Sequence, residues 1–156
     1  MALPWQDPPA RYREVEIERD VPSRMRDGTL LYADIYRPKG EGPWPVLLLR
    51  HPYHKTQSQM LSYAHPSWYA RYGYMVVAQD VRGRWTSEGE WYPFKYEEDD
   101  GCDTIAWAAE LPGSNGQVGM YGVSYGGATQ LLSACLLYTS DAADDQGLVL
   151  FSGGGG

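Results

Sequence analysis

The stretch spanning residues 118–127 constrains the possible fold more than any other part of this chain. It reads Val-Gly-Met-Tyr-Gly-Val-Ser-Tyr-Gly-Gly, and it predicts a buried strand that runs into a helix beginning near Ala128. Ser124 lies at the corner, within the spacing Gly122-x-Ser124-x-Gly126 that is typical of a nucleophile elbow. We therefore expect a sharp strand–turn–helix unit that lifts the Ser124 hydroxyl above the end of a sheet.

Each residue of this corner has an expected role. Ser124 is the candidate nucleophile, and the backbone N–H of Tyr125, at the helix N-terminus, points to where an oxyanion would form. Gly122, Gly126 and Gly127 allow the strand and the helix to pass closely. A glycine-rich turn without catalytic function is the alternative, since the chain contains 18 glycines among 156 residues. The small and apolar residues that follow at helical spacing favour the elbow.

Strand and helix signals alternate along the chain before the corner. Strands are predicted at residues 15–18, 30–36, 46–49 and 74–78, and helices at residues 66–72 and 97–109. The Asp27-Gly28 turn joins the first two strands into a hairpin, whereas the later apolar runs are typical of strands buried on both faces. The predicted fold class is α/β, with an antiparallel N-terminal hairpin leading into a mostly parallel sheet with helices on both faces.

The two ends of the chain are expected to lie outside this folded unit. Residues 1–14 are predicted to form an N-terminal arm, and residues 15–134 the folded unit itself. Residues 135–156 resemble the translation of a sequencing adapter followed by a glycine-rich end, with no strand pattern. We interpret them as a non-native tail and exclude them from the fold; a genuine helix end followed by a linker is the alternative.

Charge and composition exclude several classes of function. A net charge of −7 argues against a nucleic-acid partner. The two cysteines, Cys102 and Cys135, form neither a disulfide framework nor a metal-binding spacing, and we identify no cofactor motif. The first residues, MALPWQD, have neither the basic nor the apolar region of a signal peptide, and no apolar run approaches the ~20 residues of a membrane span. We expect a cytoplasmic protein whose oligomeric state the sequence leaves open.

Six short motifs follow one another along the chain. They begin at Met25, Tyr32, His51, Gln79, Ser87 and Gly122, and read MRDG, YAD, HPYHK, QDVRG, SEG and GVSYGG. In this order they resemble the cocaine-esterase and X-Pro dipeptidyl-peptidase (peptidase S15) family of α/β-hydrolases. The resemblance covers residues 15–134 and implies a truncated α/β-hydrolase fold. Two positions depart from the family pattern: His54 stands where relatives more often carry Asp, and Trp85 where Gly is usual.

The resemblance also implies the roles of three residues. Ser124 corresponds to the acylated nucleophile, and Tyr125 to the residue whose backbone N–H donates to the oxyanion. Tyr53 corresponds to the tyrosine whose hydroxyl is the second donor, and it lies in the loop where α/β-hydrolases keep that donor. A tyrosine packed under a loop, with no catalytic role, is the alternative for Tyr53. We expect Asp80 and Arg82 to form an internal ion pair and not to take part in catalysis.

A catalytic base cannot be assigned from this sequence. The nucleophile of the fold is followed by an Asp or Glu and then a His, yet no histidine follows Ser124. The three histidines, His51, His54 and His65, precede it, and we expect each to make a loop hydrogen bond or to be a solvated ring. We interpret the chain as an inactive N-terminal fragment whose parent supplies the Asp and the His.

The expected function of that parent is hydrolysis of an ester or amide bond through an acyl-enzyme, with a small-molecule ester, amide or peptide as substrate. Another α/β-hydrolase branch, prolyl-oligopeptidase-like or dienelactone-hydrolase-like, is an alternative. Such an enzyme would use a backbone donor in place of the Tyr53 hydroxyl. A non-catalytic module of the same fold is the other alternative.

Overall fold

A mixed β-sheet forms the centre of the protein, and the computed structural model describes residues 7–137 and 149–150. The strands are β1 (Val15–Arg24), β2 (Leu30–Pro38), β3 (Trp44–His51), β4 (Met75–Asp80), β5 (Ser114–Met120) and β6 (Val149–Leu150). The helices are α1 (Pro66–Arg71), α2 (Glu97–Ala109) and α3 (Tyr125–Leu137). The strand order is β1-β2-β4-β3-β5-β6. The β1–β2 and β2–β4 pairs are antiparallel and the others are parallel, which confirms the predicted α/β class.

The continuous apolar run of β3 is explained by burial on both faces of the sheet. Val46 and Leu48 point to one side, where they pack in a cluster with Ile105 of α2. Leu47 and Leu49 point to the other side, into a cluster that contains Ala70 of α1. Because successive side chains of a strand alternate between faces, a strand covered by helices on both sides must be apolar throughout.

Helices α2 and α3 pack against each other at a point of close approach. A Cβ atom built on Gly101 of α2 would lie 1.9 Å from Oγ of Ser133 in α3, so no larger residue fits there. The Cys102 thiol also reaches the backbone carbonyl of Ser133, at 3.7 Å. This contact joins α2 to the middle of α3, and the hydrogen bond of 2.8 Å from the Tyr125 phenol to Glu97 places the first turn of α2 beside the corner from which α3 begins.

The three parallel strands β3, β4 and β5 end at the same edge of the sheet. His51, Asp80 and Met120 are their last residues, and in the pairing of β3 with β4, His51 lies opposite Asp80. The loops that follow these strands therefore meet at one edge, which is where open α/β sheets place their ligand sites.

One expectation about the tail is wrong. No strand was expected within residues 135–156, but Val149 and Leu150 pair in parallel with Gly119 and Met120 of β5. Such pairing needs only an open edge on the neighbouring strand. The hydrophobic pattern of the tail itself therefore does not predict it. The rest of residues 138–156 lies outside the described residues, so the interpretation of 135–156 as non-native stays a prediction. Within the part that the structure describes, no helix combines the length and apolarity needed to cross a bilayer.

Candidate active site

Ser124 lies at the corner between β5 and α3, in a backbone conformation that residues other than glycine rarely adopt. Its φ is +57°, and it is exposed although the residues around it are largely buried. The Ser124 carbonyl accepts hydrogen bonds from the N–H groups of Gly127 and Ala128, at 3.0 and 3.1 Å. A left-handed non-glycine residue costs free energy and persists only where the surroundings impose it. The corner thus holds the Ser124 hydroxyl out from the sheet.

Gly122 is the glycine that this corner requires. Its φ is +137°, and a Cβ there would lie 2.9 Å from Cδ1 of Leu49 and 3.2 Å from Cα of Gly126. The other two elbow glycines are less constrained, since a Cβ on Gly126 or Gly127 would make contacts of 3.7 and 3.8 Å. The close passage of strand and helix therefore depends mainly on Gly122.

The structure brings Tyr53 to Ser124. Tyr53 lies in the loop after β3, and its hydroxyl is 3.4 Å from Oγ of Ser124. The two residues are 71 positions apart in the chain, and the ring of Tyr53 is partly exposed. A phenol donates one hydrogen bond through its O–H. The geometry therefore places a hydrogen-bond donor beside the serine hydroxyl.

The backbone N–H and the phenol of Tyr125 have different surroundings. It is the first residue of α3, three positions earlier than the predicted start at Ala128, and the first N–H groups of a helix have no partner within the helix. Its buried phenol points away from solvent and donates to the Glu97 carboxylate at 2.8 Å, while accepting from the Phe94 N–H at 2.9 Å. Burial raises the pKa of the Tyr125 phenol, and the nearby Glu97 carboxylate raises it further. The side chain is therefore an anchor for the corner.

Comparison with known proteins identifies the family. The model of the X-Pro dipeptidyl-peptidase (S15) family matches residues 27–137. The chain belongs to the S15 family. It is 47% identical over 112 residues to cocaine esterase of Rhodococcus sp. (strain MB1 Bresler), a match that covers 70% of this chain and 20% of that protein.

Solved structures agree with this assignment. A CocE/NonD family hydrolase from Staphylococcus aureus superposes with a TM-score of 0.72 at 31% identity, over 80% of this chain and 26% of that one. An α-amino acid ester hydrolase superposes with a TM-score of 0.71 at 28% identity, over 96% of this chain and 26% of that one. This S15-family chain thus spans about a fifth to a quarter of the length of these relatives.

A buried polar chain supports the corner of this S15-family protein from below. Arg50, at the end of β3, forms an ion pair of 2.8 Å with the Glu97 carboxylate that also holds Tyr125. The Arg50 Nε donates to Gln79 of β4 at 2.7 Å, and the Gln79 amide donates to Ser23 of β1 at 2.9 Å. Four separate elements are joined in this way to the residue that follows Ser124.

Sequence reasoning missed this network. The predicted strand 46–49 ends one residue before Arg50, and the predicted helix 97–109 begins at Glu97 with no partner assigned to its carboxylate. A signal was present, because Arg50 directly continues an apolar run that predicts a strand buried on both faces. A cation in such a strand needs a buried anion, although the sequence does not say which of the acidic residues it is.

The three histidines are engaged locally. His51 accepts from the Tyr53 N–H at 3.1 Å. His54 accepts from the Thr56 N–H at 3.2 Å, and His65 accepts from the Ser67 N–H at 3.2 Å, capping α1. These contacts agree with the expected role in loop hydrogen bonds.

The expected ion pair between Asp80 and Arg82 is wrong. Arg82 pairs with Asp27 and Asp100 instead, at 2.7 Å each. The Asp80 carboxylate accepts from the Lys55 N–H at 2.6 Å and from the Thr86 hydroxyl at 2.7 Å. The Arg82 side chain reaches the hairpin turn and α2, while Asp80 holds the two loops that follow β3 and β4. Both residues support the site without contacting Ser124.

His54 and Trp85, the two residues that differ from the family pattern, contact each other. The rings of His54 and Trp85 pack edge to face with centroids 4.8 Å apart. Trp85 has a φ of +50°, which explains why glycine suits its position. Its indole N–H donates to the Pro52 carbonyl at 2.9 Å, so the aromatic pair rests on the loop that carries Tyr53. Within residues 7–137 and 149–150, no three His, Cys, Asp or Glu side chains converge to hold a metal ion.

Proposed function

We propose that this chain is the N-terminal part of a serine hydrolase that cleaves ester or amide bonds through an acyl-enzyme at Ser124. The observation that carries the proposal is the 3.4 Å approach of the Tyr53 hydroxyl to Oγ of Ser124. The left-handed corner at Ser124 adds support, because it is the strained backbone that a nucleophile elbow requires. Membership of the S15 family, whose relatives are esterases and peptidases by name, agrees with this reaction class.

The reaction follows from the positions of these groups. Oγ of Ser124 attacks the substrate carbonyl carbon, and a base takes the hydroxyl proton. The carbonyl oxygen becomes an oxyanion, which accepts hydrogen bonds from the Tyr53 hydroxyl and the Tyr125 N–H. Collapse of this intermediate breaks the bond to the alcohol or amine, which leaves with the proton. Water then cleaves the acyl-serine ester by the same steps and frees Ser124.

The base belongs to a longer parent protein in this proposal. The two nitrogens of His51 face its own loop, toward the Tyr53 N–H and the Ser58 hydroxyl, and no histidine follows Ser124 in the sequence. Since a serine hydroxyl is a weak nucleophile without a base, the chain alone is expected to have negligible turnover. The Asp and the His of the triad lie in the parent beyond this chain.

The substrate class is a small ester, amide or peptide. The relatives include a cocaine esterase and an α-amino acid ester hydrolase by name, and the family is described as X-Pro dipeptidyl-peptidases. An ester and an amide share the acyl carbon that Ser124 would attack, so the proposal covers both.

A comparison of the isolated chain with its longer reading frame tests the proposal. Each is incubated with a fluorophosphonate probe and with p-nitrophenyl esters. We expect the longer protein to be labelled by the probe and to hydrolyse the esters, and we expect both reactions to be lost in Ser124→Ala. The isolated chain should do neither. A longer protein whose activity survives Ser124→Ala, or a reading frame without a downstream Asp and His, would overturn the proposal and favour a non-catalytic module.

A further inference from the structure

His51 lies directly beneath the loop that carries Tyr53. It is the last residue of β3 and is only 1% exposed. Its Nδ1 accepts a hydrogen bond of 3.1 Å from the Tyr53 N–H, and its ring stacks on the Tyr53 ring with centroids 5.4 Å apart and planes tilted by 24°. A single imidazole therefore contacts both the backbone and the side chain of Tyr53.

These contacts matter because Tyr53 is not otherwise held by regular structure. Its loop follows the strand end, and its ring is 38% exposed. A loop tyrosine loses rotamer freedom when it is fixed, and a hydroxyl donor works only if it is aimed at the developing charge before the reaction. The rigid strand end at His51 is thus in a position to fix the Tyr53 hydroxyl near Ser124.

The protonation of His51 is determined by its partners. Because Nδ1 accepts the Tyr53 N–H, a neutral ring carries its proton on Nε2. Nε2 faces the Ser58 hydroxyl at 3.5 Å, and that hydroxyl donates to the Lys55 carbonyl, so its oxygen is free to accept. Both ring nitrogens are therefore engaged within the loop.

Burial favours the neutral ring of His51, and the surrounding charges act in both directions. Burial lowers the pKa of His51 to about 4, against an opposing effect of Asp80 on β4. His54 in the same loop lowers it further. Two further cations belong to the adjoining loops: the Lys55 ammonium pairs with Asp20 at 2.8 Å, and the Arg84 Nε donates to the Pro52 carbonyl at 3.1 Å. At neutral pH His51 is thus an acceptor and not a cation.

We propose that His51 is a positioning residue that holds the Tyr53 hydroxyl in place as an oxyanion donor for Ser124. The inference rests on the proposed function of Ser124. It gives His51 a role distinct from that of a catalytic base, since neither of its nitrogens faces the serine. It also distinguishes His51 from His54, whose ring packs on Trp85 and not on Tyr53.

Binding of phenylboronic acid to the longer parent protein tests this inference without needing turnover. Oγ of Ser124 adds to the trigonal boron and its proton passes to the base of the parent, which gives a tetrahedral anion that resembles the oxyanion intermediate. The affinity is measured at pH 8 for the unaltered parent and for Ser124→Ala, Tyr53→Phe, His51→Phe and His51→Asn in it. His54→Asn is the matched control, because it changes a histidine of the same loop.

His51→Phe keeps a flat ring but removes the acceptor. We expect it to weaken binding about tenfold, which is the equivalent of one lost hydrogen bond. We expect a loss of the same size for Tyr53→Phe. His51→Asn restores an acceptor oxygen and should bind within about twofold of the unaltered parent, as should His54→Asn. The double variant His51→Phe/Tyr53→Phe should bind no worse than Tyr53→Phe alone, since His51 acts through that hydroxyl. A merely structural role would instead give additive losses.

The outcomes separate the two hypotheses. Boronate binding that survives Ser124→Ala would overturn the proposed function, and the role of His51 with it. Binding that depends on Ser124 and Tyr53 but is unchanged in His51→Phe would overturn the role of His51 alone. If His51→Phe does not fold, ¹⁵N NMR of the unaltered chain decides: an unprotonated Nδ1 hydrogen-bonded to the Tyr53 N–H supports the inference, and a protonated Nδ1 contradicts it.

Discussion

Arg50 and Glu97 form an ion pair of 2.8 Å that is almost completely removed from solvent, with side chains 0% and 4% exposed. The two residues join the end of β3 to the first turn of α2 directly behind the candidate nucleophile. A buried pair of this kind is not a strong source of stability in itself, but losing one partner leaves a buried charge without compensation.

Removing Glu97 should therefore destabilise the protein strongly. We expect Glu97→Ala to lower the free energy of unfolding by about 3–5 kcal/mol, because the buried Arg50 guanidinium would lose the anion that pairs with it. Urea unfolding followed by circular dichroism measures the change. Glu14→Ala is the matched control, since it breaks the exposed pair with Lys39, and it should leave the unfolding midpoint unchanged. Equal midpoints for both variants would contradict the importance of the buried pair.

Tyr53 provides a test of the oxyanion hole in the longer parent enzyme. Tyr53→Phe keeps the ring stacked on His51 but removes the hydroxyl, and we expect kcat to fall about 10²-fold or more. Steady-state hydrolysis of a p-nitrophenyl ester measures the loss. Tyr92→Phe removes a hydroxyl from an exposed ring and is the control. A loss of less than about threefold for Tyr53→Phe would favour an α/β-hydrolase branch that uses a backbone donor.

The depressed pKa of His51 predicts a loss of stability at acid pH. The unfolded histidine titrates near its ordinary value of 6.5 and the folded one at about 4, so the unfolded state binds more protons between these values. The contribution is fully present above pH 6.5 and is lost as the pH falls toward 4, by about 3 kcal/mol in all. Urea unfolding from pH 7 to pH 4 measures it in the unaltered chain.

His51→Asn isolates this effect from the titration of carboxylates. The variant keeps an acceptor but cannot be protonated, so its stability should fall less steeply between pH 6.5 and pH 4 than that of the unaltered chain. Identical slopes in the two proteins would show that His51 does not titrate in this way.

The elbow glycines differ in the substitution that each tolerates. Gly122→Ala places a Cβ 2.9 Å from Leu49 at a φ of +137°, and we expect it to destabilise the fold by about 1–3 kcal/mol. Gly127→Ala is the matched comparison: it lies within α3, where its Cβ would meet only the Gly122 carbonyl at 3.8 Å. Alanine favours a helix over glycine, so this variant should be unchanged or slightly more stable. Thermal unfolding of both variants measures the difference, and a reversed order would rule out the steric explanation.

Much of the fold could be predicted because its signals are local. Apolar runs identified β3 and β4, and the glycine spacing identified the corner at Ser124. The start of α3 was placed three residues late, since its first turn contains two glycines and no apolar period. The pairing of Arg82 was missed for a different reason: the prediction took a sequence neighbour, Asp80, whereas the partners lie on the hairpin turn and on α2.

The sequence by itself determined the corner, because the glycine spacing around Ser124 acts through steric contacts between residues that are close in the chain. It also indicated a mostly parallel sheet covered by helices, because a strand that is buried on both faces is apolar at successive positions. Only the tertiary structure decided that His51 lies beneath Tyr53 and that Glu97 neutralises Arg50. Those partners come from different parts of the chain, and a buried polar group can be satisfied only by the group that the folded chain brings within hydrogen-bond distance.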